Sequence, residues 1–152
     1  MENTAPIVMG SDHAGYALKE FIKDYLIGSN FEVEDCGTFS EESVDYSDFG
    51  IAVAGKISSG NFNRGILICG TGLGMSMVAN RFKNVRAALC NGLFSAMMSR
   101  RHNDSNILVL GGRVIGVELA KEIVSVWLKT PFEGGRHKKR IEKFDTIKNT
   151  AI

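Results

Sequence analysis

The feature that most narrows the fold is an alternation of short β-branched runs with helical patterns along nearly the whole chain. Ile7-Val8-Met9 reads as a strand, and a helix follows from about Gly15, with Leu18, Phe21, Ile22, Tyr25 and Leu26 on one face at helical spacing. Phe31 and Val33 predict a second strand, and residues 47–57 a second helix. Ile66-Leu67-Ile68 is expected as the third strand, with a helix over 74–81. Val85 to Cys90 is the fourth, with a helix over 93–101, and Asn106 to Leu110 the fifth. A long helix is expected over 114–129, its apolar positions including Val117, Leu119, Ala120, Ile123, Val124 and Trp127. Thr130-Pro131 breaks it, and Gly134-Gly135 precedes a last helix.

Strands and helices in strict alternation imply a parallel sheet covered on both faces, joined by right-handed crossovers. The expected fold is therefore α/β: a Rossmann-like three-layer sandwich with a five-stranded parallel sheet and a C-terminal helix. At 152 residues and 44% hydrophobic, the chain has the length of one ordinary domain, and no repeat or linker divides it. Residues 1–152 are expected to form a single domain.

Charge and cysteine usage exclude several classes of function. The 18 Lys and Arg nearly cancel the 17 Asp and Glu, which argues against a general affinity for nucleic acid or a membrane surface. A local basic run, Arg136-His137-Lys138-Lys139-Arg140, has the plain reading of a solvated helix face. Cys36, Cys69 and Cys90 are odd in number and lack Cys-x-x-Cys spacing, against a disulfide framework or a structural zinc site. The start, Met1 to Pro6, has no basic segment leading into a long apolar one, and no run reaches the roughly 18 apolar residues of a membrane span. The expectation is a soluble cytoplasmic protein.

Ligands of such sheets bind beyond the carboxyl ends of the strands, where the strand order switches. The loops after the first and third strands are therefore the places to examine. The third strand delivers Cys69 into Gly70-Thr71-Gly72-Leu73-Gly74 just before a helix. Glycines let backbone N–H groups face an anion, and a helix start adds its positive dipole end. Cys69 is thus either a candidate thiolate or a buried strand-end cysteine. No Gly-Lys-Ser or Gly-Lys-Thr follows, so this is not a nucleoside triphosphate loop. Met75 stands where the small cysteine-dependent phosphatases need an arginine.

The first loop, Gly10-Ser11-Asp12-His13-Ala14-Gly15, superficially follows a dinucleotide fingerprint. Asp12, however, occupies the second glycine position, where its side chain and charge would repel a pyrophosphate. An Asp-His pair suits hydroxyl groups or proton transfer, while the bland alternative is a helix cap beside a surface histidine. Arg101-His102-Asn103-Asp104 lies between the fourth helix and the fifth strand. A crossover helix runs back against the strands, so His102 should sit at the edge opposite Cys69. Either it is a capping histidine, or it acts on the site of a neighbouring subunit.

Six segments in order then carry a resemblance: Ser11-Asp12-His13-Ala14-Gly15, Val44-Asp45-Tyr46, Ile68 to Gly74, Arg101 to Asp104, Gly111-Gly112-Arg113, and Glu133-Gly134-Gly135-Arg136-His137. Across residues 7 to 145 the chain resembles the sugar-phosphate isomerase family that holds the B-type ribose-5-phosphate isomerases with the allose- and galactose-6-phosphate isomerases. The resemblance implies interconversion of an aldose phosphate with its ketose through an enediolate, without cofactor or metal. It also implies a homodimer, or a dimer of such dimers, with sites shared between subunits, and for a ribose enzyme a place in the non-oxidative pentose phosphate pathway. Cys69 matches the family's base, and Thr71 with the backbone of Gly70, Gly72 and Gly74 its anion hole. His102 matches the ring-opening residue, helped by Asp12, and Asn103 a ligand of the sugar hydroxyls. Arg136 and Arg140, four apart on one helix face, match phosphate residues, with Arg113 and His13 as contributors and Tyr46 lining the sugar pocket. Members without the cysteine use a glutamate a few residues on; here Met75-Ser76-Met77 offers no carboxylate. Alternatives are a six-carbon sugar phosphate as substrate, or a non-catalytic sugar-phosphate sensor.

Overall fold

Five strands form: β1 (Ile7–Ser11), β2 (Val33–Asp35), β3 (Arg64–Cys69), β4 (Ala87–Leu89) and β5 (Ile107–Gly111), of which β3 and β5 are the richest in Ile, Leu and Val. The helices between and after them are α1 (Tyr16–Gly28), α2 (Tyr46–Ser58), α3 (Leu73–Ala79), α4 (Leu93–Arg101), α5 (Val117–Lys129) and α6 (Arg136–Ile141), with a closing 3₁₀ turn at Phe144–Thr146. This computed structural model describes residues 5–147; residues 1–4 and 148–152, which the one-domain expectation included, lie outside it, as does most of the N-terminal start read above.

The strands are all parallel, in the order β2-β1-β3-β5-β4. From β1 the chain turns one way to β2 and later the other way to β3, so the switch point lies between β1 and β3. Side chains alternate across the sheet with period two. Ile66 and Ile68 join Ile7, Met9, Leu108 and Leu110 against α1 and α5, around the fully buried Trp127. Leu67 and Cys69 face the other way and pack with Val8, Val109, Val53, Ala54 and Met75 against α2 and α3. Each fully buried Leu, Ile or Met contributes roughly 1.5–3 kcal/mol. The same alternation that builds the core therefore turns the Cys69 thiol toward α3.

A polar corner fixes the β1 loop. Lys19 is fully buried, and its ammonium bonds Glu20 and Asp35, which Lys23 also bonds at 2.8 and 2.9 Å. Asp35 Oδ1 accepts the Gly37 amide at 2.9 Å, while Gly37 and Thr38 exchange 2.7 Å backbone bonds with Ser11. The segment leading into Asp12 is tied in this way to β2 and α1.

Two boundaries differ from the sequence expectation for local reasons. Residues 111–116 fold into a turn, with the amides of Val114 and Ile115 donating to the Gly111 carbonyl, so α5 begins at Val117 behind an extended Gly116. The Asn80 side chain bonds both the amide and the carbonyl of Ala87, at 2.8 and 3.0 Å, ending α3 early and holding the start of a β4 only three residues long.

Candidate active site

The carboxyl ends of β1, β3 and β5 come together at one edge of the sheet. Cys69 closes β3, is 5% exposed, and pairs with Gly111 of β5. Its Sγ accepts the Gly72 amide at 3.2 Å, which fixes the sulfur at the start of the glycine loop. That bond requires Gly72 at φ +82°, where a side chain is strained and a Cβ would also lie 2.4 Å from Leu89. Thr71 is exposed, with its Oγ1 accepting the Leu73 amide at 3.3 Å. The anion-hole expectation is refined here: the Gly72 amide points at sulfur, not into open space, and α3 is a helix of only seven residues.

Around this loop stand most of the other expected residues. Asp12 is 6% exposed, and its Oδ1 accepts the Gly15 amide at 3.0 Å, pinning the turn into α1. His13 Nδ1 accepts the Val44 amide at 3.1 Å, so a neutral ring carries its proton on Nε2. The Tyr46 ring, at the start of α2, lies against Gly74, where an added Cβ would stand 2.5 Å from it. The Arg113 amide donates to the Gly70 carbonyl at 2.9 Å, and the Arg113 side chain would stand 3.5 Å from a Cβ on Gly70. Cys69, Thr71, Asp12, His13, Tyr46, Arg113 and the three glycines thus share one edge.

His102, Asn103, Arg136 and Arg140 do not reach it. His102 caps the end of α4, and Asn103 leads into the amino end of β5, which pairs with the beginning of β3. The four residue steps from Gly65 to Cys69 alone span about 13 Å. The second group is a cluster in its own right. The rings of His102 and His137 are stacked, with centroids 4.3 Å apart and planes inclined 11°. Glu133 Oε2 stands 3.5 Å from His137 Nε2, and the Glu133 amide donates to the Arg101 carbonyl at 3.1 Å. Arg136 and Arg140 are exposed beside them, whereas His137 is 6% exposed, so the basic run is not a uniformly solvated face. His137 and Glu133 received no role from the sequence, although both fall inside a quoted motif and sit four residues apart.

Potential ligand atoms of His102, Glu133 and His137 lie within 4.8 Å of one another, as a metal site would need. Parallel stacked rings, however, direct their in-plane lone pairs side by side and not toward one point about 2 Å from each nitrogen. Arg136 and Arg140 add positive charge that opposes a dication. His137 is held below the usual imidazole range, first by desolvation and then by His102 and Arg136, with Arg140 adding to them against the pull of Glu133. These groups suit anions and proton transfer. The chain therefore carries two separate polar clusters at opposite edges of the sheet.

The sequence and the fold are similar to those of known proteins. A family model described as Ribose/Galactose Isomerase matches residues 7–144. The chain is 47% identical over 141 residues to ribose-5-phosphate isomerase B of Escherichia coli strain K12, covering 93% of this chain and 95% of that one. A crystal structure of a ribose 5-phosphate isomerase from Thermotoga maritima superposes with a TM-score of 0.92 at 55% identity, covering 94% of this chain and 99% of that one. Ribose-5-phosphate isomerase B of Mycoplasma genitalium, solved with bound ribulose-5-phosphate, superposes with a TM-score of 0.89 at 40% identity, covering 93% and 94%.

Proposed function

The chain belongs to the ribose/galactose isomerase family, and from that membership we propose that it interconverts D-ribose 5-phosphate and D-ribulose 5-phosphate through an enediolate. The observation that carries this reading is Cys69 at the switch-point edge, with an amide on its sulfur and Thr71, Tyr46 and Arg113 around it. The thiolate removes the proton from C2 of the open aldose as the C1 carbonyl takes up the electron pair. Thr71, with the amides of the glycine loop not engaged by sulfur, bears the developing oxyanion. The C2 hydroxyl proton passes to the C1 oxygen, and the proton taken by Cys69 returns to C1 as the C2 oxygen becomes the carbonyl, completing the ketose. No redox cofactor enters, because the carbon that gains a hydrogen and the carbon that loses one belong to the same molecule.

Residues of the other edge act on the site of a second subunit. His102 opens the sugar ring with Asp12, Asn103 holds hydroxyls, and Arg136 and Arg140 meet the phosphate together with Arg113 and His13. Two supports favour a homodimer: neither edge alone is a complete site, and Leu73, Met77, Leu93 and Phe94 stand exposed around the Cys69 edge. Three free cysteines fit a reducing cytoplasm, and no described helix is long and apolar enough to cross a membrane. Turnover of purified protein on ribose 5-phosphate, allose 6-phosphate and galactose 6-phosphate tests the proposal. We expect kcat/KM highest on the pentose without added metal; preference for a hexose phosphate would reassign the substrate, and no turnover on any would overturn the reading.

A further inference from the structure

The proposed ring-opening residue lacks the anchoring that its task demands. His102 sits at the end of α4, where its amide donates to the Met98 carbonyl at 2.9 Å, and its ring makes no hydrogen bond within the described residues. A half-buried imidazole so placed would turn freely about its χ angles, whereas a group that moves protons to a sugar must be held within about 0.5 Å and 10–20°. What faces the ring is His137, 6% exposed, with its plane parallel to that of His102. His137 is itself fixed: its amide donates to the Gly134 carbonyl at 3.1 Å and its Nε2 stands 3.5 Å from Glu133. Glu133 is docked in turn on the end of α4, by its amide to the Arg101 carbonyl and by its Oε1, 3.9 Å from Arg101 Nε. The loop thus closes on the helix that carries His102.

We propose that His137, oriented by Glu133, is a positioning residue for ring opening, fixing the plane of the His102 imidazole while taking no part in proton transfer at carbon. The proposal rests on the reading of the chain as a ribose-5-phosphate isomerase. Charges around the pair are Arg101 on α4, Glu133 on the loop, and Arg136 and Arg140 on α6. Desolvation first, then His102 and Arg136, disfavour the protonated form of His137, and the neutral ring presents its face to His102 when His102 takes up a proton.

Ring opening moves the proton of the C1 hydroxyl away as the C1 carbonyl forms, and delivers a proton to the ring oxygen as its bond to C1 breaks. Only ribose 5-phosphate needs this step. In ribulose 5-phosphate the hydroxyl that could close a five-membered ring on C2 carries the phosphate, so the ketose is always open. Formed from the ketose, the open aldose can leave the site and close in water, so loss of the positioning residue should slow initial ketose consumption far less than aldose consumption.

The test measures both directions for His137→Ala, His137→Leu and His137→Phe. We expect consumption of ribose 5-phosphate by the Ala and Leu variants to fall about 10-fold or more. It should also plateau with rising enzyme concentration at the rate of uncatalysed ring opening, a ceiling the wild type exceeds. Initial consumption of ribulose 5-phosphate should change by less than about threefold, and His137→Phe, which restores a flat face, should recover the forward rate. The Leu variant retains bulk and decides the matter if the Ala variant does not fold. Equal losses in both directions, or Phe behaving as Leu does, would overturn the proposal. Failure of the wild type to isomerise either sugar would instead overturn the functional reading on which it rests.

Discussion

At the scale of single residues, environment separates three cysteines that composition cannot. Burial pushes the Cys90 and Cys36 thiols up, as expected of packed, inert groups. Cys69, buried as Cys90 is, stands apart by geometry: its sulfur accepts the Gly72 amide at the mouth of the glycine loop. We expect Cys69→Ala to lower isomerisation by about 10²-fold or more while phosphate-ligand binding, measured calorimetrically, survives; unchanged turnover would remove Cys69 from the mechanism. Its position was legible because a β-branched run ending in a glycine-rich loop has few other uses. The aim of the Gly72 amide was not, since it depends on the sign of one backbone angle. The burial of His137 was hidden for a different reason. A histidine inside Arg136-His137-Lys138-Lys139-Arg140 reads as one member of a solvated charge run, and the stack that buries it is made with a residue 35 positions earlier.

At the scale of elements, the junction of α1 and β2 rests on an ammonium out of contact with water. The face of Leu18, Ile22 and Leu26 was readable from helical spacing, but Lys19 beside it has the sequence character of a surface residue. Only the return of β2 next to β1 brings Asp35 over it. Asp35→Ala should therefore destabilise the fold by about 3 kcal/mol and lower Tm on the order of 10 °C, because among the described residues Lys19 keeps only Glu20 as a carboxylate partner. Burial alone pushes the Asp35 carboxyl up, but bonds from Lys19, Lys23 and the Gly37 amide outweigh it and hold the group below the usual carboxylate range. A depressed native value contributes stability above the unfolded value of about 3.9 and loses it as pH falls further. Urea unfolding at pH 7, 4 and 3 should show the wild type losing more stability on acidification than Asp35→Asn. Similar losses in both would show that the ion pair does not govern acid sensitivity. Boundaries were the least legible part of the elements. The early end of α3 depends on Asn80 reaching Ala87, and the late start of α5 on a turn closed on the Gly111 carbonyl.

For the whole molecule, the parallel sheet and its switch point followed from alternation alone, and the opposite placement of Cys69 and His102 from the direction of a crossover helix. The position of β4 outside β5 did not, because strand order is set by packing among distant segments. Under the proposed dimer, mixing inactive Cys69→Ala and His102→Ala chains should restore roughly a quarter to a half of wild-type activity, one sound site forming in each mixed pair. Subunit exchange verified by mass spectrometry with no recovery would argue for sites built within one chain. Dilution of the wild type should likewise lower activity per chain once pairs dissociate.

Two half-sites on opposite edges of one rigid sheet also bear on when activity begins. Under the proposed dimer, a newly made chain would be fully folded and still inert, because the surface that binds and the surface that reacts would meet only across two copies. Meeting a copy would then be the activating event, and the amount of chain the cell makes would govern the onset of turnover.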